Sequence, residues 1–112
     1  EGLLHGSPDP DDAISRLQSF EAAGADVLYA PGLSSVEDVR TLCSAVGKPV
    51  NVLARPNFTF AELAEAGAQR VSVGGGLTWV AVKAFADAAT AIRDEGDFSA
   101  LSARVPVVDW LG

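Results

Sequence analysis

The stretch "EAAGADVLYAPG", residues 21–32, is answered further along the chain by "AEAGAQRVSVGGG", residues 64–76. Both run from the end of a helix through a glycine into a short apolar strand that closes on glycine. In each, "AGA" supplies a tight helix-to-strand turn, where glycine takes the left-handed conformation that stops a helix. Outward from this phrase the same grammar continues. "SPDPDD" starts a helix over 11–23, with prolines that fix φ and an aspartate to cap it. Ala13, Ile14, Leu17, Phe20 and Ala23 form its apolar face, and Gly24 stops it. A buried strand follows at 26–30. Ser35 and Asp38 open the next helix as a capping box with a shortened acid. Val36, Val39, Leu42, Cys43 and Val46 lie on its buried face, and Gly47 ends it. "PVNVLA", 49–54, is the second strand. Thr59 and Glu62 cap a short helix that Gly67 stops, and "RVSVG", 70–74, is the third strand. A long helix spans about 77–94, with Leu77, Val80, Ala81, Ala84, Phe85, Ala88 and Ile92 toward the core, before Gly96.

Composition narrows the classes. The 112 residues hold at most one domain, and 48% hydrophobic with 21% charged residues is ordinary for a globular chain. Eight basic against fifteen acidic residues give a net charge of −7, which argues against nucleic acid as a partner. No apolar run reaches the ~20 residues of a membrane-spanning helix, so no membrane partner is expected. The single cysteine, Cys43, excludes an internal disulfide and a cysteine-cluster metal site, and its helical spacing marks it as a small buried hydrophobe. The opening "EGLLHG" has no basic, signal-like character, and a cytoplasmic location is expected.

Helix and strand alternate throughout, and each strand is short and apolar. That is the pattern of parallel strands joined by helical crossovers, an α/β fold. The strand count does not close a (β/α)8 barrel, which needs about 200 residues or more. The expected fold is therefore the C-terminal half of such a barrel, with three to four parallel strands over residues 1–96. Residues 97–112 form a tail with one short helix before Pro106.

"GADVLYAPGLSSVEDVRTLCSAVGKPVNVLA", then "ELAEAGAQRVSVGGGL", then a long helix ending in "EGDF", resemble the C-terminal half of the isocitrate lyase / phosphoenolpyruvate mutase superfamily, and in particular its phosphonomutase-like and methylisocitrate lyase-like bacterial members. The likeness covers about residues 1–101. It implies a Mg2+-dependent lyase or mutase that cleaves or forms a C–C or P–C bond beside a 2-oxo acid, with an enolpyruvate-type species on the path. It also implies a homo-oligomer in which the last helix region is exchanged between subunits. The family's metal-binding acids and catalytic loop belong to its earlier βα units, so no catalytic residue and no metal ligand is expected within these 112 residues. The N-terminal half of the same barrel is the expected partner, and the isolated chain is expected to be inactive. Against the family's Ala-Arg-Thr-Asp/Glu stretch, Glu1 takes the place of the acid. Pro31 stands near a position where family members carry histidine or glutamate, and it can neither ligate nor transfer a proton.

Five residues are candidate substrate contacts. Glu1 follows from the resemblance. Asn51 is a polar side chain amid the apolar residues of the second strand and is either a satisfied interior amide or a pocket residue. Arg55 follows the second strand and is either a solvated charge or an anion clamp. Gly74 and Gly75 open the run before the long helix, either for close packing or as a backbone cradle for phosphate. The lone His5 is read as a surface or packing residue. Two further readings stay open: a non-catalytic half-barrel that serves assembly, and a small α/β domain that binds a phosphorylated ligand. The apolar tail residues Phe98, Leu101, Val105, Val107, Val108, Trp110 and Leu111 are expected to dock on a neighbouring subunit, with Trp110 as anchor, or back on their own barrel.

Overall fold

The computed structural model describes residues 9–104 and 106–108. Their order is α1 (Pro10–Ala22), β1 (Leu28–Tyr29), α2 (Val36–Ala45), β2 (Val50–Leu53), α3 (Phe60–Glu65), β3 (Arg70–Ser72) and α4 (Gly76–Glu95), with a 3-10 turn at Ser99–Ser102. The strands form one parallel sheet in the order β1-β2-β3. The α/β fold of a barrel half, parallel strands alternating with helices, is thus the observed one. The described residues form two compact units, divided between Gly74 and Gly75.

Local chemistry sets the helix limits of the first unit. Asp9 caps α1, its Oδ1 accepting from the N–H groups of Asp11 (3.0 Å) and Asp12 (3.4 Å). Both predicted capping boxes form, Ser35 with Asp38 and Thr59 with Glu62. In the second, the Glu62 carboxylate accepts from the Thr59 hydroxyl at 2.6 Å and the Thr59 N–H at 2.9 Å. Those two bonds, the hydroxyl's first, hold the Glu62 carboxyl pKa below the ordinary glutamate range. The repeated phrase resolves into two equivalent turns, with Gly24 at φ +97° and Gly67 at φ +100°. At Gly67 space is also short, because a Cβ would stand 3.1 Å from the Cys43 Cβ.

Gly47 departs from expectation. α2 ends instead with Val46 in an extended conformation. The Gly47 N–H donates to Glu21 Oε2 at 3.1 Å, and Gln18 donates to the Ala45 carbonyl at 2.9 Å. Side chains of α1, rather than a left-handed turn, satisfy this end of α2.

The helices α1–α3 cover one face of the sheet. Leu28, Ala30, Val50 and Val52 meet Leu17, Leu33, Val39, Leu42, Leu63 and Ala66 in a single buried cluster, with Ile14, Val36, Cys43, Val46 and Val71 packed around it. Burial of the Cys43 thiol pushes its pKa up, as suits a small hydrophobe rather than a nucleophile. Phe20, expected in this core, is 55% exposed. Residues 28, 50, 52 and 71 share the covered face, so strand alternation puts Tyr29, Asn51, Leu53, Arg70 and Ser72 on the other. The register agrees, aligning Tyr29 with Asn51, Asn51 with Arg70, and Leu53 with Ser72.

In the second unit α4 runs for 20 residues and ends at Gly96, whose N–H donates to the Ile92 carbonyl at 3.2 Å. No residue of α4 is buried. Leu77, Val80 and Phe85, expected to face a core, are exposed, and so are Trp79, Phe98, Leu101, Val107 and Val108. No described helix is long and apolar enough to cross a membrane.

Candidate functional site

All three strands point the same way, so their C-terminal ends share one edge of the sheet. Sites of parallel α/β folds are built at that edge, from the loops that follow the strands. In the first unit the edge consists of the 30–35 loop after β1, the 54–59 loop after β2, and residues 73–74 after β3.

The first two loops are tied together by side chains. Arg55 Nη1 donates to the carbonyls of Gly32 at 3.4 Å and Leu33 at 3.1 Å. Asn57 Nδ2 donates to the carbonyl of Ser34 at 3.3 Å. Three successive carbonyls of one loop are thus taken by two side chains of the next. Arg55, an expected substrate contact, is exposed and already binds the neighbouring loop with one nitrogen of its guanidinium. Asn57 went unnoticed in the sequence, since an asparagine between proline and phenylalanine reads as a turn residue.

The sheet face opposite α1–α3 leads up to this edge. Asn51, at 5% exposure, is the buried polar residue of the described chain. Its Nδ2 donates to Ser72 Oγ at 3.1 Å on the adjacent strand, while its Oδ1 has no hydrogen-bond partner among the described residues. Ser72 is half-buried and donates to the Val52 carbonyl at 3.5 Å, which is long for a hydroxyl. Sequence reasoning passed over Ser72. The available signal was that it alternates onto the face of Asn51 and Leu53. Two residues on, Gly74 takes φ +53°, and a Cβ there would meet Leu53 Cδ1 at 3.2 Å. Glycine is therefore required where β3 turns away.

The structure brings Asn51 together with Ser72, and Arg55 together with the 32–34 carbonyls. Gly75 stands at the N-cap of α4 in the second unit, with no side chain capping that helix. Glu1, His5 and Trp110 lie outside the described residues. Among the described residues no three His, Cys, Asp or Glu side chains converge on a common metal position. The loops 30–35 and 54–59 and residues 72–77 contain no acid. This donor set of amides, hydroxyls, a guanidinium and carbonyls does not by itself fit a Mg2+ centre, which calls for carboxylate oxygens.

The comparisons with known proteins agree with one another. A Burkholderia cenocepacia J2315 structure, provisionally named a lyase/mutase, superposes with a TM-score of 0.90 at 46% identity over 97% of this chain and 40% of its own. A second structure from that organism, provisionally named a phosphonomutase, gives a TM-score of 0.66 at 39% identity over 72% of this chain and 33% of its own. The oxaloacetate decarboxylase of Paraburkholderia xenovorans (strain LB400) is 32% identical over 74% of this chain and 28% of its own length. An uncharacterized Mycobacterium tuberculosis protein is 34% identical over 77% of this chain and 33% of its own. The chain therefore spans about a third of the length of the curated relatives it matches. The phosphoenolpyruvate phosphomutase family model matches residues 1–93, and the chain belongs to that family.

Proposed function

We propose that this chain is part of a lyase or mutase that makes or breaks a C–C or P–C bond next to a 2-oxo acid. The observation that carries the reading is the family match across residues 1–93. The relative named oxaloacetate decarboxylase acts, by its name, on a 2-oxo acid. The relatives named lyase/mutase and phosphonomutase bracket the C–C and P–C alternatives.

In this reading Mg2+, held by acids outside the described residues, supplies Lewis-acid chemistry to the oxo acid's oxygens. The chain's own contribution is a site wall. Arg55 and Asn57 hold the loops after β1 and β2 in a fixed relation. The remaining N–H groups of the exposed Arg55 guanidinium offer a cationic contact for a carboxylate or phosphonate. Asn51 lies on the sheet face opposite α1–α3, below the rim, and Gly74 turns β3 away without a side chain at that point. Glu1, by its likeness to the family's acid, and Gly75, as a backbone contact of the second unit, are each proposed on their own account. The alternative carboxylate- or phosphonate-bearing substrates share the anionic end that these donors recognise.

Calorimetry of the full-length protein with oxalate or pyruvate tests the reading. Binding is expected only when Mg2+ is present. Replacing Arg55 by Ala is expected to weaken it roughly tenfold, the worth of one charge-assisted contact. The absence of binding to either anion, with and without Mg2+, would remove the basis for the 2-oxo acid assignment.

A further inference from the structure

The least explained feature of the first unit is a buried amide with half of its hydrogen bonding unmade. Val50, Val52 and Leu53 surround Asn51 in sequence, and the position is 5% exposed. An apolar residue would avoid the desolvation cost that the unpartnered Oδ1 incurs. The one bond that Asn51 does make runs to Ser72 Oγ, at 3.1 Å.

Ser72 is the last residue of β3 and lies on the sheet face opposite α1–α3, at the edge where sites of this fold class are built. Its oxygen accepts the Asn51 N–H. Its own O–H reaches only the Val52 carbonyl, at 3.5 Å, well beyond the ordinary 2.5–3.0 Å of such bonds. The amide therefore occupies a lone pair of the hydroxyl and leaves its proton weakly committed. A hydroxyl held in this way is a donor in search of a strong acceptor. Asn51 supplies no such acceptor while its nitrogen is turned to Ser72. Were the amide reversed, its oxygen would take the proton instead.

We infer that the Ser72 hydroxyl donates to the carboxylate of the bound 2-oxo acid, and that Asn51 is the residue that positions it. Ser72 touches the ligand, and Asn51 acts through Ser72. The inference rests on the 2-oxo acid reading above and assigns a specific donor to the ligand's anionic end.

The test is a double-mutant cycle on the full-length protein, read as the Kd for oxalate by calorimetry with Mg2+ present. Ser72→Ala and Asn51→Leu are each expected to weaken binding roughly tenfold, the scale of a hydrogen bond to a charged group. The double variant is expected to be no weaker than Ser72→Ala alone, because both changes remove the same interaction. Ser72→Thr keeps the hydroxyl and is expected to restore near-parental affinity, which a packing role for Ser72 does not predict. If Asn51→Leu melts below the assay temperature, Asn51→Ser, too short to reach Ser72, takes its place in the cycle. Oxalate affinity unchanged in Ser72→Ala overturns the inference and leaves the 2-oxo acid reading standing. Effects that multiply in the double variant overturn the positioning role of Asn51. Failure of the parent protein to bind oxalate at all overturns the reading and the inference together.

Discussion

Leu42→Ala is expected to lower the unfolding free energy of the protein by about 2–5 kcal/mol, as large-to-small changes in tight cores do. Leu42 is 2% exposed and stands on α2, the helix between the first two strands of the sheet. It belongs to the same cluster as Val39, Leu63 and the strand residues Leu28, Val50 and Val52. Deleting its branched end opens a cavity against strands and helices at once. The neighbouring Thr41→Ala, at an exposed position of the same helix, is expected to stay within about 0.5 kcal/mol of the parent. Urea denaturation of both variants checks the contrast. Equal midpoints for the two would show that the cluster around α2 is not a tightly packed core.

Residues 1–112 expressed alone are expected to self-associate into heterogeneous species, whereas the full-length protein is proposed to sediment as one discrete homo-oligomer. In the described chain β1 and β3 each pair on one side only, with β2. Unpaired strand edges template association. The exposed apolar side chains of the second unit add to the effect: Leu77, Trp79, Val80 and Phe85 on α4, with Phe98 and Leu101 after it. Apolar surface of this extent ordinarily marks an interaction site or an aggregation liability. Analytical ultracentrifugation distinguishes the outcomes, and a compact, monodisperse monomer of 112 residues would contradict the expectation.

What could be read in the sequence was what local chemistry decides. The glycine stops at residues 24 and 67 and the two capping boxes need only residues within one turn of each other, and they form as expected. The parallel sheet followed from short apolar runs that alternate with helical periods. Partners distant in sequence were not legible. Arg55 could be placed after a strand, but not its bond to Leu33, 22 residues away. Asn51 stood out as a polar residue in a strand, while Ser72 stayed hidden, because only the pairing register brings the two together. Gly47 has the place of a helix stop, but its N–H is held by Glu21, 26 residues away. Periodicity also marks an apolar face without naming its occupant. Phe20 and the α4 side chains carry the pattern of buried residues and are exposed.

The proposed chemistry at a 2-oxo acid is tested most directly by following the C3 protons of pyruvate. Lyases and mutases of the proposed kind draw electron density from the bond they break into the oxo acid unit, so pyruvate bound in the site should lose C3 protons to solvent faster than free pyruvate. Proton NMR of pyruvate in D2O with the full-length protein and Mg2+ reads this without knowledge of the full substrate. Exchange is expected to scale with protein concentration, to stop on addition of oxalate and to be weakened by Ser72→Ala. Exchange at the uncatalysed rate, in a protein that is folded and binds Mg2+, would overturn the 2-oxo acid assignment.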